Sequence, residues 1–186
     1  MQVAKDYCFI KMKKNIVLVG FMGAGKTAVS QRLAEILKRP RISTDEAIEQ
    51  KENRSIVEIF KNSGEEYFRR LEKEIVEELA HKKNLIIDCG GGVALQQENI
   101  DRLKKSGILF YLSARPEVIY QRTKDQLQRP LLNIPHSQIK IRELLEQRKS
   151  YYEQAHFTID TNRQSDDQTA QKILVLLQTP VQKRRH

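Results

Sequence analysis

Residues 15–27 read NIVLVGFMGAGKT, and this stretch decides the fold. The run NIVLV is nearly all apolar, as a strand covered on both faces of a sheet should be. Directly after it, Gly20-x-x-x-x-Gly25-Lys26-Thr27 fits the G-x-x-x-x-G-K-S/T form of a phosphate-binding loop. Beyond the loop, Val29, Leu33, Ile36 and Leu37 stand at the i, i+4, i+7, i+8 spacing of a helix with one apolar face. Strand, glycine-rich turn and helix are therefore in register. In that geometry backbone N–H groups converge on phosphate oxygens and the helix N-terminus adds positive potential. Lys26 is expected to hold the β- and γ-phosphates, and Thr27 to offer a hydroxyl to Mg²⁺.

Working outward, short apolar runs alternate with longer stretches of helical period, which predicts an α/β fold with a parallel sheet. The five candidate strands are Asn15–Val19, Arg41–Ser43, Asn84–Asp88, Ile108–Leu112 and Phe157–Asp160. Phe68, Leu71, Ile75, Val76 and Leu79 mark a helix over Glu65–Ala80, and Ala170, Ile173, Leu174 and Leu177 mark a last one. Thr123 to Ser137 is polar, with Pro130 and Pro135 and little periodicity, and reads as a long excursion of the kind that forms lids.

A chain of 186 residues fits one compact domain, so one active site is expected. The apolar runs are too short for the ~20 residues that cross a bilayer, and the first residues do not read as a secretory signal, so a cytoplasmic location is expected. Cys8 and Cys89 stand in no disulfide or zinc-binding spacing. The net charge of +9 suits either nucleic acid or small anionic substrates, and part of it lies in the tail at Lys183, Arg184 and Arg185.

Candidate chemistry clusters at strand ends. Asp88 closes the apolar run Asn84–Asp88, where phosphate-loop enzymes place a carboxylate for Mg²⁺, and Gly90, Gly91 and Gly92 permit close approach to a ligand. Asp88 could equally cap a turn. Asp45 follows the second strand; Ser43 and Glu46 have the capping-box spacing for a helix over Glu46–Glu52. Arg69 lies on the helix with Phe68, either free for a ligand or paired with Glu72 at i, i+3. Arg148 falls on the face of Ile141, Leu144, Leu145 and Tyr152, where a guanidinium wants an anion. Two arginines able to reach one site point to a carboxylate-bearing acceptor. Arg129 in the excursion suits a mobile group closing over the transferring phosphoryl.

In this order, GFMGAGKT, STD followed by AIE, EEYFRRLE, CGGG, RPLL, QRKSYY and DTN, the chain resembles the shikimate kinase family from Met12 to about Leu177. The resemblance implies a three-layer P-loop kinase fold like that of nucleoside monophosphate kinases, with a five-stranded parallel sheet and a mobile lid at about 123–137. It implies ATP-dependent phosphorylation of the 3-hydroxyl of shikimate, a step of aromatic amino-acid biosynthesis, with Mg²⁺ accompanying ATP. Asp45, Arg69, Gly91 and Arg148 are then the shikimate contacts, and Lys26, Arg129 and Asp45 the catalytic set. The ATP site is Gly23, Ala24, Gly25, Lys26, Thr27, Ala28, Arg122, Arg129 and Gln164, with Arg122 on the adenine and residues 160–164 closing the base pocket. Residues 12–178 make up the domain, 1–11 a disordered extension and 179–186 a basic tail.

One departure carries chemistry. The family pattern after the second strand is D-S/T-D, and Ser43 replaces the first aspartate, which helps hold Mg²⁺. Asp88 supplies a carboxylate where the family has a small residue, so the metal ligands expected here are Thr27 and Asp88. The partners expected are ATP and shikimate, with no nucleic acid or membrane, and the chain is expected to be a monomer. The rival readings are another small-metabolite kinase, such as a gluconate kinase, and a catalytically silent nucleotide-binding or nucleic-acid-binding protein.

Overall fold

A computed structural model describes residues 14–124 and 138–178. Five parallel strands, β1 (Asn15–Val19), β2 (Arg41–Ser43), β3 (Ile86–Asp88), β4 (Gly107–Ser113) and β5 (Phe157–Asp160), form one sheet in the order β2-β3-β1-β4-β5. They are joined through α1 (Lys26–Leu37), α2 (Thr44–Glu52), α3 (Ile56–Ala80), α4 (Gln97–Ser106), α5 (Pro116–Thr123), α6 (Gln138–Tyr152) and α7 (Asp166–Gln178). A short 3₁₀ helix spans Val93–Leu95.

Alternation along β1 builds the three layers, because successive side chains of a strand point to opposite faces. Val17 and Val19 join Ile87, Leu109 and Tyr111 beneath Ile48, Phe68, Leu71, Ile75 and Val76 of α2 and α3. Ile16 and Leu18 join Ile86, Ile108 and Phe110 beneath Val29 and Leu33 of α1 and Ile173 and Leu174 of α7. With helices on both faces, the strands must be apolar throughout, and β1 is buried along its whole length.

The expected α/β architecture and five strands are present, with altered boundaries. The third strand begins at Ile86 rather than Asn84, since Asn84 is in the left-handed region (φ 66°) and the Leu85 N–H is taken by the Asn15 side chain at 3.0 Å. The helix over Glu65–Ala80 is the second part of α3, which kinks at Gly64 (φ 80°). The helix expected from Glu46 starts at Thr44, and only half of a capping box forms: Ser43 Oγ accepts from Glu46 N at 3.3 Å, while the Glu46 carboxylate turns to Arg41. Helices α4 and α5 are additions to the expected pattern. In α4 only Asn99, Ile100 and Leu103 are buried, too few positions to announce a stripe.

Thr123 ends α5, so the excursion starts later than expected. Residues 125–137, with Arg129 and most of the expected lid, lie outside the described residues, as do the expected N-terminal extension and the basic tail. Among the described residues no helix is long and apolar enough to cross a membrane. Because all strands are parallel, the connections after β1, β2, β3, β4 and β5 leave from one edge of the sheet, where open α/β sheets bind ligands.

Candidate active site

The loop from Gly20 to Lys26 joins β1 to α1 and is braced from two sides. Lys26 is only 8% exposed, and its ammonium donates to the carbonyls of Gly20 (2.9 Å) and Phe21 (3.0 Å). Arg122 from α5 donates to the Gly23 carbonyl at 3.2 Å and to the Thr161 carbonyl at 2.8 Å. The Thr161 hydroxyl reaches the Ala24 carbonyl at 3.1 Å, which ties the segment after β5 to the loop.

A cavity of about 570 Å³ opens along this edge. It is lined by Gly23, Gly25, Lys26, Thr27, Ala28 and Arg122 at one end and by Asp45, Arg69, Gly91 and Arg148 at the other, with Ser43 and Asp88 between. Most of the residues expected from sequence are thereby brought together. Ala24 is buried under the loop and Gln164 does not line the cavity; the Gln164 Oε1 is buried with no hydrogen-bond partner among the described residues.

At the second end, the glycine run is packed against charged groups. A Cβ on Gly90 would fall within the Asp45 carboxylate, and one on Gly92 would fall within the Arg69 guanidinium. A Cβ at either position would push these charged side-chain ends out of their places. Gly91 has ordinary clearance, with its nearest neighbour, Met22 N, at 3.7 Å from a built Cβ. The run is anchored from below: Gly90 N donates to the buried Thr44 hydroxyl at 2.7 Å, and the Tyr152 hydroxyl donates to the Gly91 carbonyl at 2.7 Å.

The two arginines are held differently. Arg69 meets Glu72 at 2.5 Å and Glu65 at 2.9 Å, so the ion pair with Glu72 forms while Arg69 still lines the cavity. Arg148 lies over the Phe21 ring, 5.4 Å from its centroid, a cation–π arrangement that keeps it at the cavity wall. Glu72 is 1% exposed, and burial pushes its carboxyl up to about 7, against the pull of Arg69.

Between the ends, Asp88 closes β3 beside Leu18 of β1 and Ser43 of β2. It is 4% exposed. Its Oδ2 accepts from Arg41 at 2.9 Å, and Ser30 Oγ lies 3.4 Å from the same oxygen. Ser43 is occupied as the cap of α2. The donor set suits Mg²⁺, which in phosphoryl-transfer sites is held by one or two carboxylates, a loop hydroxyl and substrate phosphates.

Comparison with known proteins decides the assignment. The family model for shikimate kinase matches residues 22–178. A shikimate kinase of Caldanaerobacter subterraneus subsp. tengcongensis is 44% identical over 161 residues, covering 87% of this chain and 94% of that one. The chain belongs to the shikimate kinase family. A solved shikimate kinase from Acinetobacter baumannii, in complex with shikimate, is 41% identical with a TM-score of 0.87, covering 94% of this chain and 97% of that one. A gluconokinase from Sinorhizobium meliloti, at 17% identity and a TM-score of 0.55, covering 91% of this chain and 94% of that one, shares the fold alone.

Several residues of this shikimate kinase site escape a reading by motif. Glu72 was expected only as a possible partner of Arg69, and its burial in the site had a signal: an acidic residue between Leu71 and Ile75 sits on a stripe that is otherwise apolar. Arg41 meets Asp88 across 47 residues and gives no local sign, and Thr161 lies in the DTN segment expected to close the base pocket, but its bond to Ala24 is not legible there. Glu72 also sets a pH dependence. Its folded value is raised above the ordinary 4.5, so the stability it contributes is fully present below about 4.5 and lost as pH rises through about 7. Urea denaturation between about pH 5 and 7 is expected to show stability falling with pH from this group, and Glu72→Gln is expected to flatten that slope.

Proposed function

We propose that the chain transfers the γ-phosphoryl group of ATP to the 3-hydroxyl of shikimate, with the residues of this cavity as its machinery. One observation carries this reading of the site: a phosphate loop with Lys26 shares a single cavity with a carboxylate, Asp45, and two arginines, Arg69 and Arg148. The arginines suit a planar carboxylate, which an arginine grips with two parallel N–H bonds. Asp45, packed against Gly90, orients the acceptor hydroxyl and is the carboxylate nominated to take its proton.

In the transfer, a bond forms between the acceptor oxygen and the γ-phosphorus, and the bond to the β–γ bridging oxygen breaks, its electron pair leaving with ADP. Lys26 gives up its carbonyl partners for the β- and γ-phosphates, Gly23, Gly25, Thr27 and Ala28 surround them, and Arg122 stands at the adenine end. Ala24 supports the loop from within, Gln164 is assigned to the adenine side, and Arg129, outside the described residues, is assigned to the transferring phosphoryl group. Bound Mg²⁺ would supply neutralisation of the negative charge on the phosphate oxygens. Thr27 and Asp88 are the residues that would hold it, and Ser43 is committed to its helix cap. Placement and charge neutralisation supply most of the catalysis. The reading includes a cytoplasmic monomer acting on small anions, with neither nucleic acid nor membrane as partner.

Two measurements follow. Coupled release of ADP is expected with shikimate and not with gluconate, and Arg69→Met or Arg148→Met is expected to raise the shikimate KM about 10- to 100-fold, the loss of a charged hydrogen bond worth about 1.5–3 kcal/mol. ATP turnover independent of shikimate would refute the acceptor assignment. Asp88→Asn is expected to abolish activity and to weaken Mg²⁺-dependent ATP binding; an unchanged Mg²⁺ dependence would return the metal carboxylate to another residue.

A further inference from the structure

Arg41 makes more contacts in this region than the reaction described above requires of it. It lies on β2, two residues before Ser43, and does not itself line the cavity. Its guanidinium uses two edges. Nε donates to Ser30 Oγ at 2.8 Å and Nη2 to Asp88 Oδ2 at 2.9 Å, while Nη1 and Nη2 both meet the Glu46 carboxylate at 3.1 Å. Ser30 in turn donates to the carbonyl of Thr27 at 2.8 Å, in the first turn of α1. The side chain of Arg41 is 15% exposed and that of Asp88 5%. Glu46, 55% exposed, closes the group from the solvent side.

Among the described residues, Arg41 and Ser30 both approach Asp88 at one oxygen, Oδ2, from the side of β2 and α1. Asp88 itself lines the cavity. We infer that Arg41 is a positioning residue for the metal-side carboxylate: it pins Asp88 by Oδ2 against Ser30 and the turn that carries Thr27, so that the carboxylate and the Thr27 hydroxyl are presented together. This rests on the reading of Asp88 as the carboxylate that serves Mg²⁺. The geometry also explains why the side chain is arginine. A lysine ammonium is a single point charge, whereas the planar fork addresses Ser30, Asp88 and Glu46 at once. Outer residues that orient a metal's carboxylate carry about 10- to 100-fold in metal affinity. A guanidinium that merely neutralised Asp88 would act in the opposite sense, since its removal would leave more negative charge for the cation.

The test is calorimetric titration of the full chain with ADP, first in EDTA and then across a range of Mg²⁺, for Arg41→Met, Arg41→Lys, Asp88→Asn and the Arg41→Met/Asp88→Asn pair, with shikimate titrated alongside. Arg41→Met is expected to raise the Mg²⁺ concentration for half-maximal tightening about 10-fold or more, with ADP affinity in EDTA and shikimate affinity within about 2-fold of the parent. Arg41→Lys, which keeps the charge, is expected to show a smaller loss of the same sign, and the double variant to be no worse than Asp88→Asn. If Asp88→Asn weakens the Mg²⁺ effect while both Arg41 variants leave it unchanged or strengthen it, the role given to Arg41 is wrong and that of Asp88 stands. A parallel loss of metal-free ADP and shikimate binding in Arg41→Met would make Arg41 a general structural residue, which also overturns the inference. If Asp88→Asn leaves the Mg²⁺ effect intact, the reading of Asp88 falls, and the role of Arg41 with it.

Discussion

Burial of charge is the constraint on which this site depends. An ionised group taken out of water is costly unless it is paired or hydrogen-bonded, and the cavity needs both signs of charge close together. The charges of the site therefore have protein partners. Lys26 is held by two loop carbonyls, Arg69 by Glu72 and Glu65, Arg148 by the face of Phe21, and Asp88 by Arg41 and Ser30. These partners hold the side chains in place before substrate arrives, which is how fixed charges become useful in a transition state. The strain of the arrangement shows at Glu72, whose carboxyl rises to about 7 because burial there outweighs its neighbouring arginine.

The backbone makes this density of charge possible. Parallel strands deliver five connections to one edge, and the glycine run after β3 lets Asp45 and Arg69 lie where a Cβ would otherwise stand. The acceptor end and the phosphate loop thus share one cavity although Lys26, Asp45, Arg69 and Arg148 come from α1, α2, α3 and α6. Tyr152 and Thr44 fix the glycine run from beneath, and Thr161 and Arg122 fix the phosphate loop from the side.

What was legible in the sequence was local. The phosphate loop, the stripe of α3 and the strand-end positions of Asp45 and Asp88 are patterns within a few residues, and the structure places them as expected. The start of β3 was not legible, because it depends on Asn15, which lies 70 residues from Leu85 and takes its N–H. The Ser43 cap was visible in its spacing, yet the partner of Glu46 was not: the carboxylate that would complete a capping box is drawn to Arg41. The link from Arg41 to Asp88 spans 47 residues and arises only when β2 pairs with β3, so no motif announces it. Glycine 90 and Glycine 92 were readable as permissive positions, but which side chains occupy the space they leave required the fold.

The central proposal is that the carboxylate serving the metal lies at the end of the third strand rather than the second, with the groups for both substrates lining one cavity. Its most direct test is a crystal structure of the chain with ADP, shikimate and Mn²⁺ in place of Mg²⁺, with the ion located by its anomalous signal. The account predicts a peak bound to the Thr27 hydroxyl and reached by Asp88 directly or through one water, with Asp88 Oδ2 still on Arg41 and shikimate between Arg69 and Arg148. A peak served by Ser43 or Asp45 alone, with no contact to Asp88, would contradict it.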